Sequence, residues 1–210
     1  MSRNQALYEA VTRGDRKGVQ AQIQQALAGA VGATELLNDS MIPAMRDVGE
    51  RFSRNEVFVP EMLIAARAMQ TGLGLIEPLL TREGHQPVAR VCIGTVKGDL
   101  HDIGKNLVSM MLKGAGFAVD DLGVDCDVAK FAQAVDRGAQ VICLSALLTT
   151  TMSYMRNVVS HFAGNDKVKI IIGGAPVTQA FADEIGAHGF GADANQAIQA
   201  AETCLGIRRG

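Results

Sequence analysis

The stretch ARVCIGTVKGDLHDIGKNLVSMMLKGAGFAVDDLG, residues 89–123, decides the fold. An apolar run at 89–96 gives way to a polar, glycine-punctuated turn, then to helical spacing from Ile103 to Lys113, then to a second strand-like run at 117–123. Strand, crossover helix and strand form a βαβ unit, whose strands are parallel. The alternation continues downstream. It predicts a helix over 129–137, a strand over 140–147, a helix through Tyr154 and Val158, a strand over 168–174, a helix over 178–185, a short strand near 188–190 and a last helix over 193–205. Strands apolar on both faces imply a five-stranded parallel sheet of flavodoxin or Rossmann type with helices on both faces.

Upstream the pattern changes. Residues 1–80 are rich in Ala, Gln, Leu, Met and Glu at helical spacing and contain no strand-like run. Helices are expected near 3–13, 15–29, 33–54 and 60–80, with Asp15 and Thr34 as amino-terminal caps and Pro60 in a first turn. Four such helices close a small bundle. The polar stretch TREGHQPV (81–88) breaks the periodicity, so the chain divides into a helical bundle (1–82), a linker (83–88) and an α/β domain (89–210).

Composition narrows the function. With 48% apolar residues, 20 Lys and Arg against 22 Asp and Glu, and no basic run, the chain has a core but no electrostatic footprint for nucleic acid. No apolar stretch is long enough for a membrane span and the start does not resemble a signal peptide, so a soluble, cytoplasmic protein with no membrane partner is expected. Cys92, Cys126, Cys143 and Cys204 form no CxxC pair, and Cys92 and Cys143 read as small buried hydrophobes.

In such a sheet ligands bind at the carboxyl ends of strands where the strand order reverses, which leaves three loops as candidates. The first is Lys97-Gly98-Asp99-Leu100-His101-Asp102-Ile103-Gly104-Lys105-Asn106. Asp99, two residues before His101, has the reach to accept the imidazole's second N–H, fixing the tautomer and raising the basicity of the other nitrogen toward a metal. Gly98 and Gly104 allow close backbone approach. Taken alone, the same residues also describe an exposed histidine with Asp102 capping the next helix. Neither GxxxxGK[ST] nor GxGxxG is present. The second loop, Ser145-Ala146-Leu147-Leu148-Thr149-Thr150-Thr151, offers four hydroxyls, some of them explicable as helix caps. The third, Gly173-Gly174-Ala175-Pro176, is bare: either a slot for a flat or extended ligand, or a plain turn with Pro at a first helical position.

Together, Asp99-x-His101-x-x-Gly104, Ser145-x-Leu147 and Gly173-Gly174 resemble the cobalamin-binding signature of corrinoid-dependent methyltransferases. IPAMRDVGERF (42–52) and VFVPEMLIAARAM (57–69) are similar to the helical cap that precedes the corrinoid domain in that family. The size resembles the small corrinoid proteins of methylamine, methanol and methoxyaromatic systems; methionine synthase shares both modules within a longer chain. The resemblance implies a cobalamin or related corrinoid bound base-off and His-on, with His101 as lower axial ligand to cobalt and Asp99 as its proton partner. It places Gly98, Leu100, Asp102 and Ile103 in the cofactor loop, and Gly104 where the displaced nucleotide tail enters. Ser145 would contact the tail's base, Leu147 and Thr149 would line its slot, and Gly173, Gly174 and Ala175 would give it room. Where many relatives have Ala-Asp-Gly-Tyr, this chain has Ala187-His188-Gly189-Phe190, so Phe190 would pack without the Tyr hydroxyl. Phe58, Val59 and Met62 would cover the upper face.

The implied role is a methyl carrier that is not catalytic alone. Its implied partners are a substrate-specific corrinoid methyltransferase, an acceptor methyltransferase using coenzyme M or tetrahydrofolate, and a reductive activase. Two other cobalamin proteins share parts of the pattern. Mutase subunits share the His loop but generally lack the cap, and cobalamin-dependent regulators share both modules but add a basic DNA-binding helix pair.

Overall fold

The computed structural model describes residues 3–207. The chain forms two compact units. One runs through Pro87 and takes in Lys113–Gly116, and the other holds Val88–Leu112 and the chain from Phe117 onward.

The first unit is helical: α1 (Gln5–Thr12), α2 (Arg16–Ala28), α3 (Ala33–Leu36), a π-helical turn (Leu37–Met41), α4 (Ile42–Ser53) and α5 (Val59–Arg82). Asp15 caps α2 as expected, its carboxylate accepting the Gly18 N–H at 2.9 Å. Thr34 does not cap. Gly32 holds the cap position of α3, and the Glu83 carboxylate accepts the Ala33 and Thr34 N–H groups at 2.9 and 2.8 Å. The expected helix over 33–54 contains the π turn, an extra residue that brings Met41 into the core and lets Ser40 accept the Asn4 N–H at 3.0 Å. Pro60 lies in the first turn of α5. Leu7, Val11, Val19, Ile23, Met45, Met69 and Ile76 are buried at the helical spacing seen in the sequence.

The second unit contains β1 (Arg90–Thr95), α6 (Ile103–Gly114), β2 (Ala118–Asp121), α7 (Val128–Asp136), β3 (Val141–Ser145), α8 (Thr149–Met152), α9 (Met155–His161), β4 (Lys169–Gly173), α10 (Gln179–Ile185), β5 (Gly189–Gly191) and α11 (Ala194–Cys204). All strands pair in parallel in the order β2-β1-β3-β4-β5. This is the flavodoxin order, with its switch point between β1 and β3. Both sheet faces are buried: Cys92, Ile142, Ile170 and Ile172 pack with Phe131, Val158 and Phe181, while the alternating Val91, Ile93, Cys143 and Ile171 are buried as well. Cys92 and Cys143 are the small core residues expected. Burial raises both thiols, Cys92 to about 12, which removes the thiolate needed for redox or nucleophilic chemistry. Pro176 does not start a helix; Thr178 caps α10 two residues later, accepting the Phe181 N–H at 3.2 Å.

Candidate functional site

Strand register lines up the carboxyl edge of the sheet. Thr95 pairs with Ser145, Ser145 with Gly173, and Gly173 with Gly191. Four small residues therefore stand in one row across β1, β3, β4 and β5. The loops after β1 and β3 leave this edge on either side of the switch point, and the turn after β4 lies next to them.

Asp99 is the centre of the first loop. It is fully buried and pairs with no Lys or Arg among the described residues, yet its carboxylate is surrounded by donors. One oxygen, Oδ1, accepts the His101 backbone N–H at 3.0 Å and the His101 Nδ1 at 2.8 Å. The other, Oδ2, accepts from the Leu147 N–H at 2.8 Å, the Leu148 N–H at 3.4 Å and the Thr151 Oγ1 hydroxyl at 2.6 Å. Burial alone would raise this carboxyl; the bonds from Thr151, Leu147 and His101 outweigh it and hold the group well below the usual carboxylate range. An ionised carboxylate only accepts, so the His101 Nδ1 carries the proton and donates it to Asp99. In the neutral ring Nε2 then holds a free lone pair on a half-exposed side chain.

The loop around this pair is held on several sides. Gly98 adopts φ +83, a left-handed conformation that closes the turn in which the Asp99 N–H reaches the Val96 carbonyl at 3.1 Å. Thr95, fully buried, donates from its hydroxyl to the His101 carbonyl at 2.8 Å. Asp102 turns away from His101 toward α6, its carboxylate accepting the Asn106 side-chain amide at 2.9 Å. Lys105 is buried at the start of α6, where Nζ donates to both Asp121 carboxylate oxygens and to Asn106 Oδ1, each at 2.6 Å.

The His101 loop and the loop bonded to Asp99 expose apolar side chains: Leu100, Ile103, which is 81% exposed, Leu147 and Leu148. Ser145 is half-buried, and its hydroxyl has no hydrogen-bond partner among the described residues. Gly174, at φ +126, passes so close to β3 that a Cβ would lie 1.9 Å from the Ala146 carbonyl oxygen. A Cβ on Gly173 would lie 2.7 Å from the Gly191 carbonyl oxygen, whereas one on Gly104 would meet nothing within 4 Å. Thr149 and Ala175 are exposed, and Phe190 is half-buried. In the helical unit Phe58 and Val59 are exposed, but Met62 is fully buried in that unit's core and has no surface to offer a ligand.

The loops singled out in the sequence hold His101, Asp99, Gly104, Ser145, Leu147, Leu148, Thr151 and the glycine pair. Thr95 and the bond from Thr151 to Asp99 were not legible there, because what marks them is a contact with a distant or turned-back part of the chain.

A family model described as a B12 binding domain matches residues 89–199, and a second model so described matches residues 3–77. The trimethylamine corrinoid protein of Methanosarcina barkeri is 39% identical over 205 residues, covering 95% of this chain and 94% of that protein. The chain belongs to the B12-binding corrinoid protein family. Among solved structures, a novel cobalamin-binding protein from Desulfitobacterium hafniense DCB-2 matches this corrinoid-family chain with a TM-score of 0.80 at 28% identity, covering 95% of this chain and 97% of that one. The methanol:cobalamin methyltransferase complex MtaBC from Methanosarcina barkeri matches with a TM-score of 0.82 at 27% identity, covering 97% and 79%.

The residues fit a corrinoid on their own chemistry. Among the described residues no three His, Cys, Asp or Glu side chains converge as they would on a bare ion. A single oriented imidazole nitrogen suits a metal whose other positions are filled by a macrocycle. Exposed aliphatic side chains in the same two loops suit a large flat ligand, and Gly173 and Gly174 let the end of β4 lie against neighbouring backbone where a Cβ would meet a carbonyl oxygen.

Proposed function

We propose that this chain is a methyl-carrying corrinoid protein in which His101 Nε2 ligates cobalt and the nucleotide tail enters beside Ser145, Gly173 and Gly174. The observation that carries the reading is the buried Asp99 carboxylate, which fixes the His101 ring by one nitrogen and leaves the other free at the switch point. When bound, the corrinoid supplies a nucleophilic metal centre that takes up and releases a methyl group. The protein's own part is to hold the proton on Nδ1, to keep the ligand loop in place through Asp99, and to bury the tail in a slot free of side chains.

Asp99 gives the ligand a proton-dependent strength. With the proton on Nδ1 shared toward an ionised carboxylate, imidazole gains basicity at Nε2. Leu100, Ile103, Leu147 and Leu148 give an apolar rim around that nitrogen. The 89–210 domain carries the cofactor, and residues 1–82 with the linker 83–88 form a separate helical domain. Trimethylamine and dimethylamine corrinoid proteins among the relatives, and a methanol:cobalamin methyltransferase complex among the structures, support a partner that methylates the cofactor from a small methylated substrate. An acceptor methyltransferase using coenzyme M or tetrahydrofolate and a reductive activase complete the proposed system.

Spin resonance of the cobalamin-loaded protein in its cobalt(II) form tests this. The expected spectrum shows one nitrogen that responds to 15N labelling of the protein and disappears in His101→Ala. A spectrum still dominated by the cofactor's own dimethylbenzimidazole nitrogen would overturn the reading.

A further inference from the structure

The loop between β2 and α7 makes contacts that the ligand loop's own geometry does not require. Asp125 lies there at φ +51, a left-handed conformation that a residue with a side chain seldom adopts. In that conformation it grips the neighbouring loop twice. Its backbone N–H donates to the Asp99 carbonyl at 3.1 Å, and its Oδ1 accepts the Gly98 N–H at 2.8 Å. The two residues gripped are Asp99, which fixes His101, and the left-handed glycine just before it.

Ordinary roles for Asp125 are already filled or absent. The cap of α7 is Asp127, whose Oδ1 accepts the Lys130 N–H at 3.0 Å. Lys130 Nζ reaches the Asp125 backbone carbonyl at 3.3 Å and not its carboxylate, which makes no ion pair among the described residues. The loop itself is anchored to the end of β1, since the Cys126 N–H donates to the Thr95 carbonyl at 2.9 Å and the Thr95 N–H to the Gly123 carbonyl at 3.0 Å. Thr95 in turn holds the His101 carbonyl through its hydroxyl. The clasp thus rests on a fixed base and adds two bonds to the ligand loop at Gly98 and Asp99.

We infer that Asp125 is a positioning residue for the metal ligand, clasping Gly98 and Asp99 so that the Asp99 carboxylate meets His101 Nδ1 in one orientation. The inference deepens the corrinoid reading and rests on it for its purpose, but the clasp itself is a property of the chain without cofactor.

Three variants of the whole chain separate the acceptor from the backbone conformation. Asp125→Gly accommodates the left-handed φ and lacks the acceptor; Asp125→Ala lacks the acceptor and strains the backbone; Asp125→Asn keeps a side-chain oxygen and tolerates the conformation. In the cofactor-free protein, Asp125→Gly and Asp125→Ala speed hydrogen exchange at the Gly98 amide roughly tenfold. They also spread the His101 ring 15N signals from a single Nδ1–H tautomer into a mixture. Asp125→Asn restores both to near wild type. An Asp125→Gly protein with unchanged Gly98 exchange and an unmixed His101 ring, or an Asp125→Asn protein as impaired as Asp125→Ala, overturns the inference. The cobalt(II) spectrum of the loaded wild type reports separately on the corrinoid reading, so loss of one claim is distinguishable from loss of the other.

Discussion

At the scale of single residues, the site depends on how a buried carboxylate is kept with no Lys or Arg paired to it among the described residues. Asp99 achieves this by accepting hydrogen bonds on both oxygens, and the Thr151 hydroxyl is the shortest of them. That hydroxyl also lies 3.0 Å from the Leu148 carbonyl, but it has one proton, and the closer, charged acceptor takes it. Thr151→Ala is expected to cost about 1.5–3 kcal/mol in denaturant unfolding, the range for a bond to a charged group, while Thr151→Ser keeps most of the stability. The pH dependence has a definite sign. A carboxyl lowered by folding stabilises the native state above its unfolded pKa, and that contribution is lost as pH falls through the folded value. Thr151→Ala raises the Asp99 carboxyl toward its ordinary value. The stability gap between wild type and variant is therefore constant near neutrality and narrows in the acid range, below about pH 4. A gap that stays constant down to acid pH would show that Thr151 acts by packing and not through the carboxylate. The Asp99–His101 pair was readable because its members are two residues apart; the bond from Thr151, 52 positions from Asp99, could be found only once β1 and β3 were adjacent.

At the scale of elements, periodicity located every strand and most helices, because alternating burial on both sheet faces leaves a nearly continuous apolar run in the sequence. What it could not locate was the π turn at Leu37–Met41 and the break between α8 and α9, since hydrophobic spacing fixes a helix's face and not a one-residue slip set by packing. The strand-end glycines separate fold from function in the same way. Gly174→Ala forces a side chain into φ +126 and against the Ala146 carbonyl, so it is expected to destabilise the protein by about 3 kcal/mol or more. Gly104→Leu has the opposite expectation. The position is in the first turn of α6, leucine is a good helix former, and no atom lies within 4 Å of a Cβ there. Its stability should match or exceed wild type by up to about 1 kcal/mol, while cobalamin affinity in an absorbance titration falls at least roughly tenfold, about 1.4 kcal/mol. Wild-type affinity in Gly104→Leu would remove Gly104 from the path of the nucleotide tail.

At the scale of the whole molecule, among the described residues no helix is long and apolar enough to cross a membrane, and the near balance of acidic and basic residues leaves affinity to shape and ligation. Affinity then appears as stability. A ligand that binds only the folded state at 100 times its Kd adds about 2.7 kcal/mol, which for a chain of this length raises Tm by about 5–10 °C. The row Thr95, Ser145, Gly173 and Gly191 makes a further distinction, because the proposed function puts the nucleotide tail beside Ser145 and Gly173 and the macrocycle at His101. Cobinamide has the corrin ring and cobalt but no nucleotide base, so it can engage His101 and the Leu100, Ile103, Leu147 and Leu148 rim while leaving the slot unfilled. In parallel thermal unfolding at equal concentrations, cobalamin is expected to raise Tm by the full amount and cobinamide by less than half of it. His101→Ala should reduce both shifts, whereas filling the slot, as with Ser145→Leu, should reduce only the cobalamin shift and bring it down to the cobinamide value. Equal shifts for the two ligands in the wild type would show that the glycine row does not hold the tail, and that the space beside Ser145 serves the packing of β3 against β4 alone.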